Sequence, residues 1–117
     1  MVFDHVQVTC ALEIVDATIH FWGDVVGLER IAKPNTRPGA WFRVDDRVTL
    51  HLGVEDGPEN QRSKRHVCLR VVDLAAAEKK FRAAGVEILP DTLPDLGWTR
   101  FYVRDPGGNR VEIGCPA

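Results

Sequence analysis

RVTLHLG (47–53) and NRVEIG (109–114) share one pattern of alternating apolar and polar residues. Alternation of this kind predicts β-strands with one buried face. When one run is laid over the other, each matched pair is 61 residues apart: Leu50 with Val111, His51 with Glu112, Leu52 with Ile113, and Gly53 with Gly114. The common offset predicts a duplicated unit that carries a histidine in one copy and a glutamate in the other.

The same offset recurs in the strand that opens each half of the chain. The alternating segments 3–9 and 65–71 place His5 and His66 61 residues apart, both on the polar face of their strands. Two further pairs follow the same spacing, Trp41 with Tyr102 and Arg43 with Arg104. The duplication therefore extends over most of the unit.

A helix is predicted after the first strand of each half. Apolar residues recur at helical spacing over 17–26 and over 74–84, and each segment ends at a glycine. Asp16 and Asp73 precede these segments and are predicted to cap them, because a short acidic side chain accepts hydrogen bonds from the first free N–H groups. Each half thus continues from a strand into a helix.

Three more strands are predicted in each half: 28–33, 40–45 and 47–53 in the first, and 86–89, 99–104 and 109–114 in the second. The fold class is therefore α+β, with two βαβββ modules forming curled mixed sheets around a cleft and the helices outside. We expect a single domain over residues 1–117, with module 1 at about 3–53, a polar linker at 54–64 and module 2 at about 65–115.

The bulk composition excludes several classes of function. The chain has 117 residues, a net charge of −2 and a pI near 6.1, which argues against binding to nucleic acid or to an anionic membrane. No apolar run reaches the roughly 18 residues that a membrane span needs. The opening MVFDHVQVTC lacks the pattern of a signal peptide, and the three cysteines form no CxxC pair. We expect a cytoplasmic protein with free thiols.

Four residues on the predicted polar faces have side chains that bind transition metals: His5, His51, His66 and Glu112. Imidazole and carboxylate groups suit a divalent ion such as zinc, nickel, cobalt, manganese or iron. A single histidine on a strand is more often a hydrogen-bonded or surface residue than a ligand. Here His5 matches His66 and His51 matches Glu112 in the repeat, and all four lie on the predicted polar faces of their strands. This arrangement favours a metal site.

Four motifs carry a resemblance to a known family: DHVQV (4–8), FWGDVVGL (21–28), RHVCLRVVDL (65–74) and above all RDPGGNRVEIG (104–114). With them the sequence resembles the vicinal oxygen chelate superfamily, which includes glyoxalase I, extradiol dioxygenases and bleomycin-resistance proteins. The resemblance implies metal ligands in the first and last strands of each module, which here are His5, His51, His66 and Glu112. Glyoxalase I has a carboxylate where His51 stands, and the metal-free bleomycin-resistance branch lacks the ligands.

The resemblance implies an enzyme that binds a small oxygenated substrate through two neighbouring oxygens on the metal. An isomerase or lyase is favoured, with Glu112 also acting as the catalytic base. The alternatives are an extradiol-type dioxygenase and, in another class, a metal-free protein that binds a drug or metabolite. Arginines on the polar face predict an anionic substrate. The substrate-binding candidates are Gln7, Trp41, Arg43, Cys68, Arg70, Tyr102 and Arg104.

Two further expectations concern assembly and one turn. Family members pair modules across subunits, so the resemblance implies a homodimer, with the modules paired within a chain or swapped between chains. The DPGGN turn (105–109) is predicted to reverse the chain, because Pro106 fixes φ and Gly107 and Gly108 permit positive φ. We expect this turn to position Glu112 without contacting a ligand.

Overall fold

The computed structural model describes residues 1–57, 60–91 and 97–117, so Pro58 and Glu59 of the predicted linker lie outside the described residues. The first module contains β1 (His5–Cys10), α1 (Val15–His20), β2 (Glu29–Ile31), β3 (Ala40–Arg43) and β4 (Thr49–Val54). The second contains β5 (His66–Arg70), α2 (Leu74–Ala83), β6 (Leu89–Pro90), β7 (Trp98–Arg104) and β8 (Arg110–Pro116). The predicted order βαβββ, twice, is confirmed.

The strands form two mixed sheets of four strands with the same topology. Their orders are β1-β4-β3-β2 and β5-β8-β7-β6, and the first and last strands of each module run parallel. His51 therefore lies between Gln7 and Trp41 in the first sheet. Glu112 lies between Cys68 and Tyr102 in the second. The equal registers place the two repeat-related residues at equivalent points of the two sheets.

The first helical segment begins earlier than the sequence predicts. A 3₁₀ turn over Leu12–Ile14 leads into α1, and a π-helical turn over Phe21–Val25 follows it. Ile14 occupies the N-cap of α1 and no side chain caps the helix, so the prediction that Asp16 is the cap is wrong. The cause is the additional chain after β1, which forms the 3₁₀ turn and moves Asp16 into the first helical turn. There its carboxylate interacts favourably with the helix dipole.

The second helix begins where the sequence predicts. Asp73 is the N-cap of α2, and its Oδ1 accepts a hydrogen bond from the backbone N–H of Ala76 at 2.9 Å. None of the helices in the described part of the chain is long and apolar enough to cross a membrane.

One hydrophobic core joins the two modules. Phe21 of the first module lies 6.1 Å from Phe81 of α2, measured between ring centroids, and Lys80 donates to the carbonyl of Val26 at 3.0 Å. The buried members of this core are Phe21, Trp22, Val25, Ala40, Phe42, Leu50, Phe81, Phe101, Val103, Val111 and Ile113. Because the apolar side chains of both sheets are used in this core, the polar faces carry the candidate site.

The DPGGN turn fastens the second module to the end of β1. Asp105 is 4% exposed, and its carboxylate accepts hydrogen bonds from the indole N–H of Trp22 at 3.0 Å and the backbone N–H of Asn109 at 2.8 Å. The amide of Asn109 in turn donates to the carbonyl of Thr9 at 2.8 Å. The Asn109–Thr9 and Trp22–Asp105 contacts join residues of different modules, and they give the motif a role in docking.

The two glycines of the turn serve different purposes. Gly108 has φ of +85°, a conformation that glycine permits, whereas Gly107 does not have a positive φ. A Cβ at Gly107 would lie 2.8 Å from the Cβ of Cys10 and 2.9 Å from the carbonyl oxygen of Thr9. Gly107 is therefore required by the close approach of the two modules.

Candidate functional site

Three rings form a continuous stack on the polar face of the first sheet. Trp41 and His51 are almost parallel, with an interplanar angle of 2° and ring centroids 3.8 Å apart. His5 stacks on the other side of His51 at 4.2 Å and 11°. The three strands that carry them are neighbours, and the cross-strand register brings the rings into line.

His51 is held inside this stack in a form suited to metal binding. Its side chain is buried, and its Nε2 is 3.0 Å from the hydroxyl of Thr49. Burial, together with the charge of the neighbouring His5, lowers the pKa of His51 below its ordinary value. The ring is therefore neutral near pH 7, as a metal-ligating imidazole must be.

The second sheet holds the other pair of predicted ligands in direct contact. The Nε2 of His66 is 2.9 Å from Oε2 of Glu112, and its Nδ1 is 2.9 Å from the carbonyl oxygen of Lys64. Both partners are acceptors, so the ring nitrogen that carries the hydrogen donates it to its neighbour. A backbone carbonyl on Nδ1 is also the contact that orients metal-ligating histidines, because it directs Nε2 toward the ion.

Glu112 is 5% exposed, and both of its oxygens are engaged. Oε1 accepts from the indole N–H of Trp98 at 2.8 Å and from the guanidinium of Arg100 at 3.5 Å, while Oε2 accepts from His66. Burial alone would raise the pKa of Glu112, but the Trp98 N–H and the charges of Arg100 and His66 bring it below its ordinary value. The carboxylate is therefore ionised and fixed in orientation.

The hydrogen bond from Trp98 to Glu112 was not predicted from the sequence. A Cβ at Gly114 would lie 2.5 to 2.7 Å from the indole atoms of Trp98, so only glycine leaves room for the ring over β8. Gly114 is two residues from Glu112 and therefore on the same face of the strand. A glycine on the polar face beside a buried acid was the signal for this packing.

Within one chain the four predicted ligands form two pairs on two sheets, His5 with His51 and His66 with Glu112. Throughout residues 1–57, 60–91 and 97–117, no three histidine, cysteine, aspartate or glutamate side chains lie close enough to hold a metal ion. The donor types fit a divalent transition metal. Each pair alone provides two ligands, fewer than the three or four protein ligands of such sites, so the pairs must meet for the site to form.

The predicted substrate-binding residues of the second sheet surround Glu112. Cys68 is exposed beside it, and burial of the sulfur together with the charge of Glu112 raises the pKa of the thiol to about 11. The thiol is therefore protonated and a poor nucleophile. Tyr102 is buried on the other side, and the guanidinium of Arg110 lies 3.8 Å from the centre of its ring.

The three remaining arginine candidates are placed differently from one another. Arg70 is exposed at the end of β5. Arg43 pairs with Glu29 at 3.2 Å on the first sheet. Arg104 donates to the carbonyls of Asn60, Gly108 and Ser63 at 2.8 to 3.1 Å, beside the DPGGN turn. Its contacts hold the end of the linker against the second module.

Gln7 and Trp41 line a groove of about 410 Å³ at one end of the first sheet. Its other wall is the loop between β2 and β3, which contributes Lys33 and Arg37. The sequence patterns did not single out this loop, because none of its residues belongs to the matched pairs of the 61-residue repeat.

Solved structures of the same fold cover nearly the whole chain. A glyoxalase family protein from Bacillus anthracis is 29% identical, with a TM-score of 0.87 over 100% of this chain and 96% of the other. A lactoylglutathione lyase from Agrobacterium tumefaciens is 24% identical, with a TM-score of 0.72 over 98% and 92%. An antibiotic binding protein from a Streptomyces species is 17% identical, with a TM-score of 0.79 over 100% and 97%. The last two likenesses, below 25% identity, concern the fold alone.

No curated protein matches the chain significantly. The family model described as Glyoxalase/Bleomycin resistance protein/Dioxygenase superfamily matches residues 3–113, which include all four predicted ligands and the DPGGN turn. With both modules and their common topology inside that match, the chain belongs to the glyoxalase/bleomycin resistance protein/dioxygenase superfamily.

Proposed function

We propose that this protein is a metal-dependent isomerase or lyase that acts on a small, oxygenated, anionic molecule. The observation that carries the proposal is the pair of equivalent donor sets. Each module presents one buried donor from its last strand, His51 or Glu112, and one more exposed donor from its first strand, His5 or His66. Metal-binding side chains therefore stand at both equivalent points of each sheet, which supports a shared site.

We further propose that a homodimer assembles the site. One chain provides two pairs of ligands, and the His5 and His66 side chains are 47% and 33% exposed. A two-fold axis brings the same surface of two copies together. It would place the His5/His51 pair of one copy against the His66/Glu112 pair of the other, and it would form two equal sites.

The residues of the second sheet prepare Glu112 for two roles. A bound divalent ion would act as a Lewis acid and polarise a substrate oxygen. Trp98 holds Oε1, so Oε2 is the oxygen that faces His66 and can bind the metal or accept a proton from a substrate carbon. Arg100 lies 3.5 Å from Oε1 and pairs with Asp91 at 2.7 Å, so it helps to keep the carboxylate ionised and in place.

Two other functions remain as alternatives with their own support. The His5, His66 and Glu112 set also matches the two-histidine, one-carboxylate site of iron dioxygenases. A metal-free binding protein is supported by the ring stack of Trp41 and His51 beside the groove, and the same fold occurs in an antibiotic binding protein. The three free cysteines agree with a reducing cytoplasm for any of the three functions.

Metal analysis of the protein purified without a histidine tag tests the proposal. We expect a stoichiometric divalent metal in the parent and in His20→Gln, because His20 is an exposed histidine paired with Asp24 outside the site. His66→Ala should lose the metal. A parent that contains no metal and binds none on addition would favour the binding protein. Oxygen consumption with an added catechol would favour the dioxygenase over the isomerase.

A further inference from the structure

The groove on the first sheet has the size and lining of a small-molecule site. Its volume of about 410 Å³ is within the range of ligand pockets, which is roughly 300–1,000 Å³. The residues that matter for recognition are Gln7, Lys33, Arg37, Pro38, Trp41 and His51, and none of the acidic side chains that the structure describes lines the groove.

Both cations of the groove keep their charge uncompensated. The Nζ of Lys33 donates to the backbone carbonyls of Asn35 and Arg37 and to the side-chain oxygen of Asn35, all neutral acceptors. The guanidinium of Arg37 has no hydrogen bond or ion pair with any residue that the structure describes. Its backbone N–H is fixed by the side chain of Asn35 at 3.1 Å. Two positive charges therefore face one small cavity, which favours an anion.

The opposite wall of the groove consists of the flat ring of Trp41 and the side-chain amide of Gln7. Trp41 is braced by the stacked ring of His51, which keeps the indole upright on the sheet. A Cβ at Gly53 would lie 2.9 Å from Nε2 of Gln7, so the glycine leaves room for the Gln7 side chain to lie over β4. A planar group can pack against this wall, because aromatic side chains favour flat, polarisable partners.

We propose that this groove binds an aromatic or conjugated carboxylate, with the carboxylate on Arg37 and the planar body against Trp41. The proposal rests on the proposed function in one respect, because the groove adjoins His51 and so would hold the substrate beside the metal ligands. Binding to the groove itself needs no metal. Trp41 and Arg37 act as specificity-determining residues that select a planar anion.

Titration of the metal-free protein with three matched probes tests this assignment. Benzoate carries a ring and a charge, benzamide carries the ring alone, and acetate carries the charge alone. The indole N–H signals in ¹H–¹⁵N spectra report the site of binding, with Trp22 and Trp98 as internal controls. We expect benzoate to shift the Trp41 signal and to bind about tenfold more tightly than benzamide or acetate, because a guanidinium–carboxylate pair is a charge-assisted hydrogen bond.

Two variants identify the residues. Arg37→Gln should weaken benzoate about tenfold and leave benzamide unchanged. Arg30→Gln removes an exposed arginine of the same sheet outside the groove and should leave both unchanged. Equal binding of benzoate to the parent and to Arg37→Gln, or shifts at Trp98 instead of Trp41, would overturn the proposal. If benzoate does not bind in the groove, the expected metal content of the protein is unchanged. If the protein binds no metal, the expected benzoate binding is unchanged. The two proposals can therefore fail separately.

Discussion

Glu112 is a buried carboxylate whose oxygens accept hydrogen bonds from different side chains. Trp98 and Arg100 contact Oε1, whereas His66 contacts Oε2. Hydrogen-bond donors to a metal ligand set its orientation. Trp98 is therefore a positioning residue for Glu112.

Replacing Trp98 by phenylalanine keeps an aromatic ring over Gly114 and removes the N–H donor. We expect the affinity for a divalent metal to fall about tenfold, as it does when hydrogen-bond partners of metal ligands are removed. Isothermal titration with zinc measures the change, and Trp22→Phe, which removes an indole N–H from Asp105 and not from a predicted ligand, is the matched control. An unchanged affinity in Trp98→Phe would show that the indole only fills space.

The contacts of Glu112 also make stability depend on pH. Its pKa is lower in the folded protein than in the unfolded chain, so the stabilisation is complete above the ordinary value and is lost as the pH falls through the folded pKa. We expect the free energy of unfolding to decrease by on the order of 1 kcal/mol more in the parent than in Glu112→Gln between pH 5.5 and pH 3.5. Urea unfolding at the two pH values measures this. Equal decreases in both proteins would exclude Glu112 as the source.

The same residue should matter for turnover. Glu112→Gln keeps the shape of the side chain and removes the base, and general-base assistance contributes about 10²–10⁴ in rate. We expect turnover per bound metal to fall at least about a hundredfold. Once a substrate is found, turnover is measured on metal-loaded variant and parent. If the metal-loaded variant turns over as fast as the parent, Glu112 is only a metal ligand and another residue is the catalytic base.

The DPGGN turn is one of the elements that join the modules. Its Asp105 satisfies the indole N–H of the completely buried Trp22, and Gly107 permits contact with β1. The motif is therefore a docking device between modules, and its effect on Glu112, five residues after Gly107, follows from the placement of β8.

Asp105→Ala leaves the indole N–H of Trp22 buried without an acceptor, which costs about 1–3 kcal/mol. We expect a loss of about 2 kcal/mol in the free energy of unfolding, measured by urea denaturation. Asp24→Ala, which removes an exposed acid paired with His20, should change stability by less than about 0.5 kcal/mol. Equal losses in the two variants would contradict the docking role of the turn.

The sequence patterns predicted helix starts correctly where only neighbouring residues determine them. Asp73 caps α2 because a strand, a cap and a helix follow one another directly, whereas Asp16 does not cap α1 because a 3₁₀ turn intervenes. The 61-residue offset predicted which residues share a face. The offset did not predict that Trp98 contacts Glu112. That contact depends on the space that Gly114 leaves above β8, and not on the repeat.

The arrangement of the two modules was also beyond the sequence. Alternation places His5, His51, His66 and Glu112 on polar faces, but it contains no information about which way the two faces are turned. The structure brings the apolar faces together around Phe21 and Phe81, and leaves the ligands as two pairs. At the scale of the whole molecule, this division is the reason to expect a dimer.

The assembly of the whole molecule can be tested in solution. We expect a dimer by light scattering at micromolar concentration, because the exposed first strands of both modules carry half of the ligand set. Removal of the metal should weaken the dimer, since a ligand that binds only the assembled state stabilises it by mass action. A mass of one chain at every concentration, with metal bound, would refute assembly of the site between copies.

Complementation between two chains that lack ligands tests most directly whether the metal site forms between copies. One variant, His5→Ala with His51→Ala, lacks the ligands of the first module, and the other, His66→Ala with Glu112→Ala, lacks those of the second. If the site forms between copies, a heterodimer isolated by two different affinity tags, neither of them histidine, has one intact site and one without ligands. We expect about half of the parent's metal content in that heterodimer and none in either homodimer. A heterodimer as free of metal as the two homodimers would show that the site does not form between copies.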